Sequence, residues 1–367
     1  MTNTFGDFLR VTTWGESHGP GIGVVVDGVP AGTPVLIDEI AAALRRRRPG
    51  APLTSPRKER DQPRILSGVM DDRALGTPIA IWIENQDARP SDYDALRDLY
   101  RPGHADHTTD ARYGLRDHRG GGRASARETA ARVAAGVIAL ALLRVDLDVE
   151  IVAWVDQVGE LCADVNPTTV TQQVVDSSVI RCPDQAITTS MESWIAELRD
   201  SGDSAGGWVG IVARGVPAGL GDPVFGKLKA LLAHAYLSLP ATVALEFGDG
   251  LGATLRTGSA NNDALVAAPD ATPQLATNRA GGMHGGISNG APLVARVGFK
   301  PPSTIRKTQR TVTSSGDEVE FEGTGRHDPC VLPRAVPIVE AMTALVLADR
   351  WLARRAAPPA ASTPPSV

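Results

Sequence analysis

Short runs of β-branched residues bounded by Gly, Pro or Asp alternate along the chain with longer segments in which apolar residues recur every three or four positions. The short runs predict strands at residues 22–27, 65–69, 79–84, 150–158, 208–213, 243–248 and 293–298. The longer segments predict helices at residues 37–48, 125–143, 190–200, 225–239 and 335–354. Periodicity locates these elements and leaves their pairing open.

A repeated pentapeptide divides this pattern into two similar parts. The sequence GVPAG occurs at residues 28–32 and again at residues 215–219, each time after a predicted strand and before a predicted helix. Five residues can match by chance, but the equivalent positions favour two related halves.

Composition narrows the class of protein. The chain has 367 residues, of which 42% are hydrophobic, so it can bury one large core or two moderate ones. No apolar stretch reaches membrane-spanning length and no signal peptide is recognisable, so we expect a cytoplasmic protein without a membrane partner. Three widely spaced cysteines, Cys162, Cys182 and Cys330, argue against a disulfide framework and a zinc site.

Positive charge is concentrated in two segments of a chain whose net charge is -5. Residues 45–60 hold seven basic residues and one acid, and residues 101–127 hold six arginines, three aspartates and three histidines. The arginines alternate with Gly, Pro and His and are accompanied by almost no lysine. This pattern favours bidentate recognition of carboxylate and phosphate on a small polyanion over binding to nucleic acid.

A glycine-rich run opens one of the predicted helices. Gly120-Gly121-Gly122-Arg123 leads into Ser125, and Glu128 follows three residues later, so Ser-x-x-Glu predicts a capping box. Free N–H groups at this helix start, with Arg123 and Arg127 beside them, suit an anion such as phosphate. The alternative is an ordinary cap, since many capped helices bind nothing.

Two histidines flanked by glycine are candidate acids or bases. His18 lies in residues 15–19 (GESHG), after the strand-like run 8–13, and His104 lies in residues 101–106 (RPGHAD). The alternative for each is a histidine in a surface turn. His104, Asp106, His107 and Asp110 have the residue types of a metal site, but their spacing matches no zinc or calcium signature, so no metal is expected.

The remaining candidate chemistry lies in long irregular segments, predicted at residues 49–64, 88–123, 278–290 and 300–326. The glycine-rich loop at 278–290 lets backbone amides approach a planar or anionic ligand. Lys300 to Thr304 offer an ammonium and two hydroxyls. Asp328, just before the last predicted helix, is placed to form an ion pair with Arg326 or to accept a proton.

Taken in order, these motifs resemble those of the chorismate synthase family. The matching stretches are GESHGPGIGVVVDGVP, RPGHAD, GGRASARETAARVAAG, VPAGLGDPVF, NRAGGMHGGISNG and GRHDPCVLPRAVPIVEAM, and the resemblance covers residues 5–354. It implies an α+β fold, a β-α-β sandwich with internally related halves and with helices flanking the sheets. It also implies one catalytic domain over residues 1–355 and a homotetramer. The Pro- and Ala-rich tail at 356–367 is expected to be disordered.

The resemblance further implies a reaction. Family members convert 5-enolpyruvylshikimate 3-phosphate to chorismate by a 1,4-anti elimination of phosphate, in the shikimate pathway of aromatic amino acid biosynthesis. The reaction has no net redox change but requires reduced FMN. We expect an external flavin reductant, because no reductase domain is recognisable. The arginines agree with this chemistry, since substrate and flavin together bring two carboxylates and two phosphates into one pocket.

The resemblance assigns a role to each candidate residue. His18 protonates the leaving phosphate, His104 stabilises the reduced flavin and Asp328 assists proton handling, while Ser17 and Ser125 form hydrogen bonds within the site. The substrate-binding residues are Arg47, Arg101, Arg127 and Arg326. The flavin-binding residues are Arg123, Ala124, Ser125, Pro240, Ala241, Gly285, Gly286, Lys300, Pro301, Pro302, Ser303, Thr304 and Arg326.

The chain departs from the family pattern at Leu53 and Val243, where a basic residue is common, and at Ala124, where a second serine is usual. None of these is a proposed catalytic residue, so activity is expected. The alternatives are a paralogue serving a secondary-metabolite pathway, a non-catalytic flavin-binding protein, or a flavoprotein reductase. The last is disfavoured because no Gly-x-Gly-x-x-Gly follows a predicted strand.

Overall fold

The computed structural model describes residues 3–55, 59–87, 90–267, 273–323 and 327–358. The strands are β1 (Thr4–Phe5), β2 (Arg10–Gly15), β3 (Gly21–Asp27), β4 (Pro63–Ser67), β5 (Val69–Met70), β6 (Arg73–Ala74), β7 (Ile79–Glu84), β8 (Glu150–Val158), β9 (Leu161–Cys162), β10 (Gly207–Arg214), β11 (Thr242–Phe247), β12 (Leu265–Ala267), β13 (Pro273–Leu275), β14 (Met283–His284), β15 (Ile287–Ser288), β16 (Leu293–Phe299), β17 (Thr308–Val312) and β18 (Glu318–Glu322).

The α-helices are α1 (Ile37–Arg47), α2 (Asp106–Tyr113), α3 (Thr129–Asp146), α4 (Gln172–Ser177), α5 (Gln185–Ser201), α6 (Leu228–Leu237), α7 (Gly258–Asn261) and α8 (Leu332–Ala356). Short 3₁₀ helices span Pro90–Leu96, Gly122–Ala124, Ala126–Glu128 and Gly250–Leu255.

Two five-stranded antiparallel sheets carry most of the strands. The first sheet has the order β1-β2-β3-β7-β4, and the second has the order β11-β16-β10-β8-β9. Every predicted strand is confirmed, and the predictions for β7 and β8 match both ends. In β7 the buried residues Ile79, Ile81 and Ile83 alternate with more exposed ones, as expected for a strand with one face in the core.

Helices α3 and α8 form the middle layer between the sheets. They pack against each other, α3 also contacts the first sheet through β3, and α8 contacts the second sheet through β8 and β10. The α+β class and the β-α-β sandwich are confirmed, because the two sheets lie outside a middle layer of helices. The two helices take the central position because they are apolar on nearly all sides, and such helices are stable only when they are buried.

The close contact between the two central helices depends on a glycine. A Cβ placed on Gly136 of α3 would lie 2.4 Å from the Cβ of Ala341 on α8. The C-terminal part of α8 also holds the N-terminal segment, since Asp349 Oδ1 accepts hydrogen bonds from the backbone N–H groups of Asp7, Phe8 and Leu9 at 3.0, 2.7 and 2.9 Å.

The two copies of GVPAG occupy equivalent places in the two halves. One follows β3 and precedes α1, and the other follows β10 and precedes α6. The first glycine of each copy has a positive φ, +88° at Gly28 and +71° at Gly215. A Cβ would meet a backbone carbonyl oxygen at 2.0 Å in the first copy and at 1.9 Å in the second, so both turns require glycine.

The segments predicted to be irregular contain some regular structure. Helix α2 lies within residues 88–123, and the β17–β18 hairpin lies within residues 300–326. Residues 359–367 of the expected disordered tail lie outside the described residues, while Ala356 ends α8. The three cysteines are free.

Candidate functional site

A cavity of about 210 Å³ lies at the start of α3, where loops from both halves of the chain meet. Residues from every motif singled out in the sequence line it, except the GVPAG copies and the loop at 278–290. The candidate residues among them are His18, Arg47, Arg101, His104, Ala124, Ser125, Arg127, Pro302, Ser303, Thr304 and Asp328. The β2–β3 turn, the end of α1 and the segments before α2, α3 and α8 therefore converge on one place.

The helix start at Ser125 is capped, but only half of the predicted capping box forms. Ser125 Oγ accepts a hydrogen bond from the backbone N–H of Arg127 at 3.2 Å, as expected of a cap. The expected reach of Glu128 back to Ser125 is wrong. Its carboxylate instead accepts from Thr13 Oγ1 at 2.9 Å and from Arg132 Nε at 3.0 Å, because a full charge on the next turn is a stronger partner than a backbone amide.

His18 is buried rather than placed in a surface turn. Its ring is 7% exposed and meets the ring of Tyr93 edge-on at 4.6 Å between centroids. The hydroxyl of Ser17 lies 3.1 Å from its Nδ1. Gly120 packs directly against it, since a Cβ at Gly120 would lie 2.3 Å from the same nitrogen. The glycine loop before α3 thus leaves room for the imidazole.

Asn85 supports the turn that carries His18. Its side-chain amide donates to the carbonyl oxygens of Glu16 and Gly19 at 3.0 and 2.9 Å, and its Oδ1 accepts from Arg127 Nε at 2.8 Å. Sequence reasoning did not identify this residue, because an asparagine after a strand is an ordinary turn residue. It ties the histidine turn to one of the proposed substrate-binding arginines.

Two buried arginines of the cavity wall share a single carboxylate behind it, that of Asp61. Asp61 accepts from Arg47 Nη2 at 2.9 Å and is also bonded to Arg127 Nη1. Burial lowers the pKa of Arg47 to about 10. Burial would raise the pKa of Asp61, but the two arginines outweigh this effect and lower it.

Positive charge in this wall is only partly compensated. Arg47 is 1% exposed, yet its Nε finds no hydrogen-bond acceptor among the residues that the structure describes. A buried donor of this kind is costly unless a partner is supplied. An anionic ligand would supply one.

Arg101 and His104 are both bonded to Asp106. Arg101 Nη2 lies 2.7 Å from Asp106 Oδ1, and His104 Nδ1 lies 2.9 Å from the same oxygen. Burial opposes ionisation of Asp106, but the hydrogen bonds from Arg101 and His104 outweigh it, so the pKa of this carboxyl lies well below its usual range. The neighbours His107 and Asp110 have other partners, Tyr100 and Arg116.

Asp328, just before the start of α8, forms hydrogen bonds with two groups. Its Oδ1 accepts from the backbone N–H of Ser55 at 2.7 Å, and its Oδ2 is paired with Arg334 Nη1. The predicted partner Arg326 lies outside the described residues. Arg334, in the first turn of α8, also lines the cavity and donates through Nε to the carbonyl of Arg47 at 3.2 Å. Sequence reasoning missed it because a single arginine in an apolar helix gives no motif.

Several proposed flavin-binding residues do not line this cavity. The guanidinium of Arg123 donates to the carbonyls of Thr13 and Gly15 at 2.9 and 3.2 Å, and so fastens the end of β2. Lys300 Nζ donates to the carbonyl of Gly103 at 2.7 Å. The other proposed flavin-binding residues outside the cavity are Pro301, Pro240 and Ala241 before β11, and Gly285 and Gly286 in the β14–β15 turn. Ser17, predicted to form hydrogen bonds within the site, does not line the cavity either.

The fold and the cavity define the class of protein, an α+β sandwich enzyme with two histidines among buried arginines. Comparisons with known proteins narrow this class. The family model described as chorismate synthase matches residues 9–352. The chain therefore belongs to the chorismate synthase family, whose members are carbon–oxygen lyases that need reduced flavin.

Individual relatives cover nearly the whole chain. Chorismate synthase of Trichodesmium erythraeum is 53% identical over 96% of this chain and 95% of the relative. Chorismate synthase of Synechococcus elongatus is 53% identical over 97% of this chain and 99% of the relative. A crystal structure of chorismate synthase superposes with a TM-score of 0.74 at 30% identity, covering 95% of this chain and 93% of that one. Within the described ranges, none of the helices is long and apolar enough to cross a bilayer.

Proposed function

We propose that this protein converts 5-enolpyruvylshikimate 3-phosphate to chorismate and phosphate, by 1,4-anti elimination, with reduced FMN bound beside the substrate. The observation that carries the proposal is the convergence of His18, His104 and several arginines on one cavity. This arrangement joins acid–base groups to the cations that a substrate with two carboxylates and a phosphate needs.

The charges of the cavity wall support the choice of a polyanionic substrate. Four arginines line the described part of the cavity, against two carboxylates, those of Glu59 and Asp328. The arginines are Arg47, Arg101, Arg127 and Arg334. Their guanidinium groups are held by hydrogen bonds before any ligand arrives, so little reorganisation is needed when carboxylate or phosphate binds.

Each histidine has a proton-handling role in this proposal. His18 protonates the phosphate oxygen as the C–O bond breaks, with Ser17 beside its Nδ1. His104 stabilises the reduced flavin by protonation near its pyrimidine edge, and Asp328 assists proton handling. Replacing an acid–base group of this kind usually costs about 10²–10⁴-fold in rate.

The residues present fit a flavin. Hydroxyl groups of Ser125, Ser303 and Thr304 line the cavity together with His104, and the unpartnered Arg47 Nε adds a donor for an anion. When bound, reduced FMN supplies transient electron density that eases cleavage of the C–O bond. A cavity of about 210 Å³ is small for two ligands, but a second cavity of about 360 Å³ shares Thr304, His327 and Asp328 with it.

The flavin site is completed, in this proposal, by residues from outside the cavity and by a second subunit of a homotetramer. The outside residues are Arg123, Pro240, Ala241, Gly285, Gly286, Lys300 and Pro301. Arg326, which is not among the described residues, is proposed to bind the flavin with them. We further propose a cytoplasmic enzyme that receives reduced FMN from an external reductant. Light scattering tests the tetramer, and steady oxidation of NADPH without another reductant would instead favour a flavoprotein reductase.

Anaerobic stopped-flow with chemically reduced FMN tests the reaction. We expect chorismate formation by the wild-type protein and a large loss of turnover, with retained FMN binding, in His18→Ala and His104→Ala. The control His234→Ala, in an exposed position of α6, is expected to keep full activity. Absence of chorismate at saturating substrate would reject the enzyme, and unchanged turnover in the two variants would reject the roles of the histidines.

A further inference from the structure

Asp106 is the most heavily hydrogen-bonded carboxylate near the cavity. It begins α2, is 5% exposed and does not itself line the cavity. Its Oδ2 accepts from the backbone N and the Nε of Arg101 at 3.0 and 2.8 Å. Its Oδ1 accepts from Arg101 Nη2 and faces His104 Nδ1, with Arg116 Nη1 at 3.1 Å.

These contacts fix the tautomer of His104 as well as its place. Because Nδ1 faces an ionised carboxylate, it keeps its proton, so Nε2 is the nitrogen that gains and loses a proton on the side of the cavity. The backbone beside the histidine is also held, because Lys300 Nζ donates to the carbonyl of Gly103, which has a φ of +66°. With its Nδ1 side and the neighbouring backbone held in this way, the His104 ring presents its other edge to the cavity.

The same carboxylate sets the plane of Arg101. Two parallel N–H···O bonds, from Nε and Nη2, hold the guanidinium in a bidentate geometry. The remaining direction of Nη2 is used for a hydrogen bond of 2.8 Å to the carbonyl of Gly120. Gly120 is the glycine that packs against His18, so Asp106 is linked through Arg101 to the loop beside the other candidate histidine.

We propose that Asp106 is a positioning residue of the reaction, which sets the tautomer of His104 and the orientation of Arg101. This inference rests on the proposed function, because it gives His104 and Arg101 their roles. It assigns the carboxylate no contact with substrate or cofactor. Its effect on turnover passes through His104, and its effect on substrate affinity passes through Arg101.

Asp106→Asn tests the proposal, with Asp110→Asn as the matched control. Asp110 lies one turn later on α2 and pairs with Arg116, without a bond to His104 or Arg101. We expect Asp106→Asn to lower kcat by roughly 10–100-fold, a part of the 10²–10⁴-fold that a positioned acid–base group contributes, and to raise KM for the substrate. Asp110→Asn is expected to change neither by more than about twofold.

A double-variant comparison separates positioning from a general structural effect. In a His104→Ala background, Asp106→Asn should cost little further kcat, because the histidine through which it acts is already gone, while the rise in KM persists. Loss of kcat by the full factor in that background would overturn the proposal, since it would show that Asp106 acts independently of His104.

Nitrogen-15 NMR of histidine-labelled wild-type protein tests the tautomer without any measurement of activity. The His104 signals, assigned by comparison with His104→Ala, should show the proton on Nδ1 in the neutral form. A proton on Nε2 would overturn the proposal even if Asp106→Asn failed to fold. Failure of the wild-type protein to form chorismate would instead reject the proposed function and leave the NMR result standing.

Discussion

The stability of the cavity wall that contains the proposed substrate-binding arginines depends on one residue, Asp61. It lies between the guanidinium groups of Arg47 and Arg127, and its side chain has no exposed surface. Two cations held this close are tolerated because the carboxylate between them is ionised. Without it, two buried positive charges would face each other with little solvent to screen them.

We therefore expect Asp61→Asn to lower the free energy of unfolding by about 3–5 kcal/mol, the usual cost of breaking a buried ion pair. The control is Asp27→Asn, which removes an exposed pair with Arg10 and should cost at most about 1 kcal/mol. Urea denaturation of both variants measures the difference. Equal losses in the two variants would contradict the account given for the buried wall.

Ala124 offers a gain-of-function test at the residue scale. It lines the cavity where family members usually have serine, so Ala124→Ser would restore one hydroxyl. One hydrogen bond contributes about 0.5–1.5 kcal/mol, which corresponds to FMN binding that is roughly 2–10-fold tighter. Fluorescence titration measures this change, and Ala260→Ser, at an exposed site in α7, is the control. Unchanged or weaker binding would show that this position does not contact the flavin.

The site residues that sequence could predict are those in motifs. His18, His104, Arg101, Arg127 and Asp328 all line the cavity. Four of them were noticed because glycine or proline lies beside them, and Arg127 was noticed because it lies in the predicted capping box. Their partners were not predictable. Asp61, Asn85 and Arg334 occur in unremarkable local sequence, and their importance comes from tertiary contacts that no local pattern encodes.

At the scale of elements, strands with one buried face were predicted well, since burial of one face makes apolar and polar residues alternate. Polar elements were missed because they bury too few apolar residues to show any period. Helix α2 has the sequence DHTTDARY, and its only fully buried residue is Asp106, so it has no apolar period to detect. Which sheet covers which face of the helix pair was not predictable, because local periodicity does not specify it.

The contact between α3 and α8 gives a prediction in which two effects oppose each other. Gly→Ala in a helix normally stabilises by about 0.5–1 kcal/mol through backbone entropy. At Gly136 the new methyl group would lie 2.4 Å from Ala341 Cβ, and overpacking of a tight core costs about 1–3 kcal/mol. We expect net destabilisation, measured as a lower midpoint of thermal unfolding.

The control for this variant is Gly258→Ala. Gly258 is also helical, but a Cβ there meets nothing within 4 Å. It should be neutral or slightly stabilising. If both substitutions raised the midpoint, the packing of the central helices would be looser than described.

At the scale of the whole molecule, positive charge is concentrated around the cavity, although the net charge of the chain is -5. Arginine side chains line the cavity. A larger cleft of about 1020 Å³ shares Pro49, Glu59 and Arg334 with the cavity and is also lined by Arg45, Arg48 and Arg60. A polyanion approaching the molecule is thus attracted to one region and repelled elsewhere.

We expect kcat/KM for the phosphorylated substrate to fall by roughly tenfold or more as salt is raised from low to high concentration, while kcat changes little. Steady-state kinetics across a series of chloride concentrations measure both. The charge-reversal variant Arg144→Glu, at an exposed site late in α3 and outside both cavities, should keep the same slope. A flat dependence in the wild-type protein would exclude electrostatic attraction as a factor in substrate capture.

The central position of α8 also governs how this chain comes to be folded in a cell. Helix α8, which forms the middle layer with α3, is synthesised long after the first sheet, and its Asp349 lies 340 residues after Leu9, to which it is bonded. The first sheet therefore emerges long before the helix layer that shields the sandwich is complete. During that interval the apolar face of the first sheet lacks the cover that α8 completes, and transiently exposed apolar surface of this kind favours aggregation.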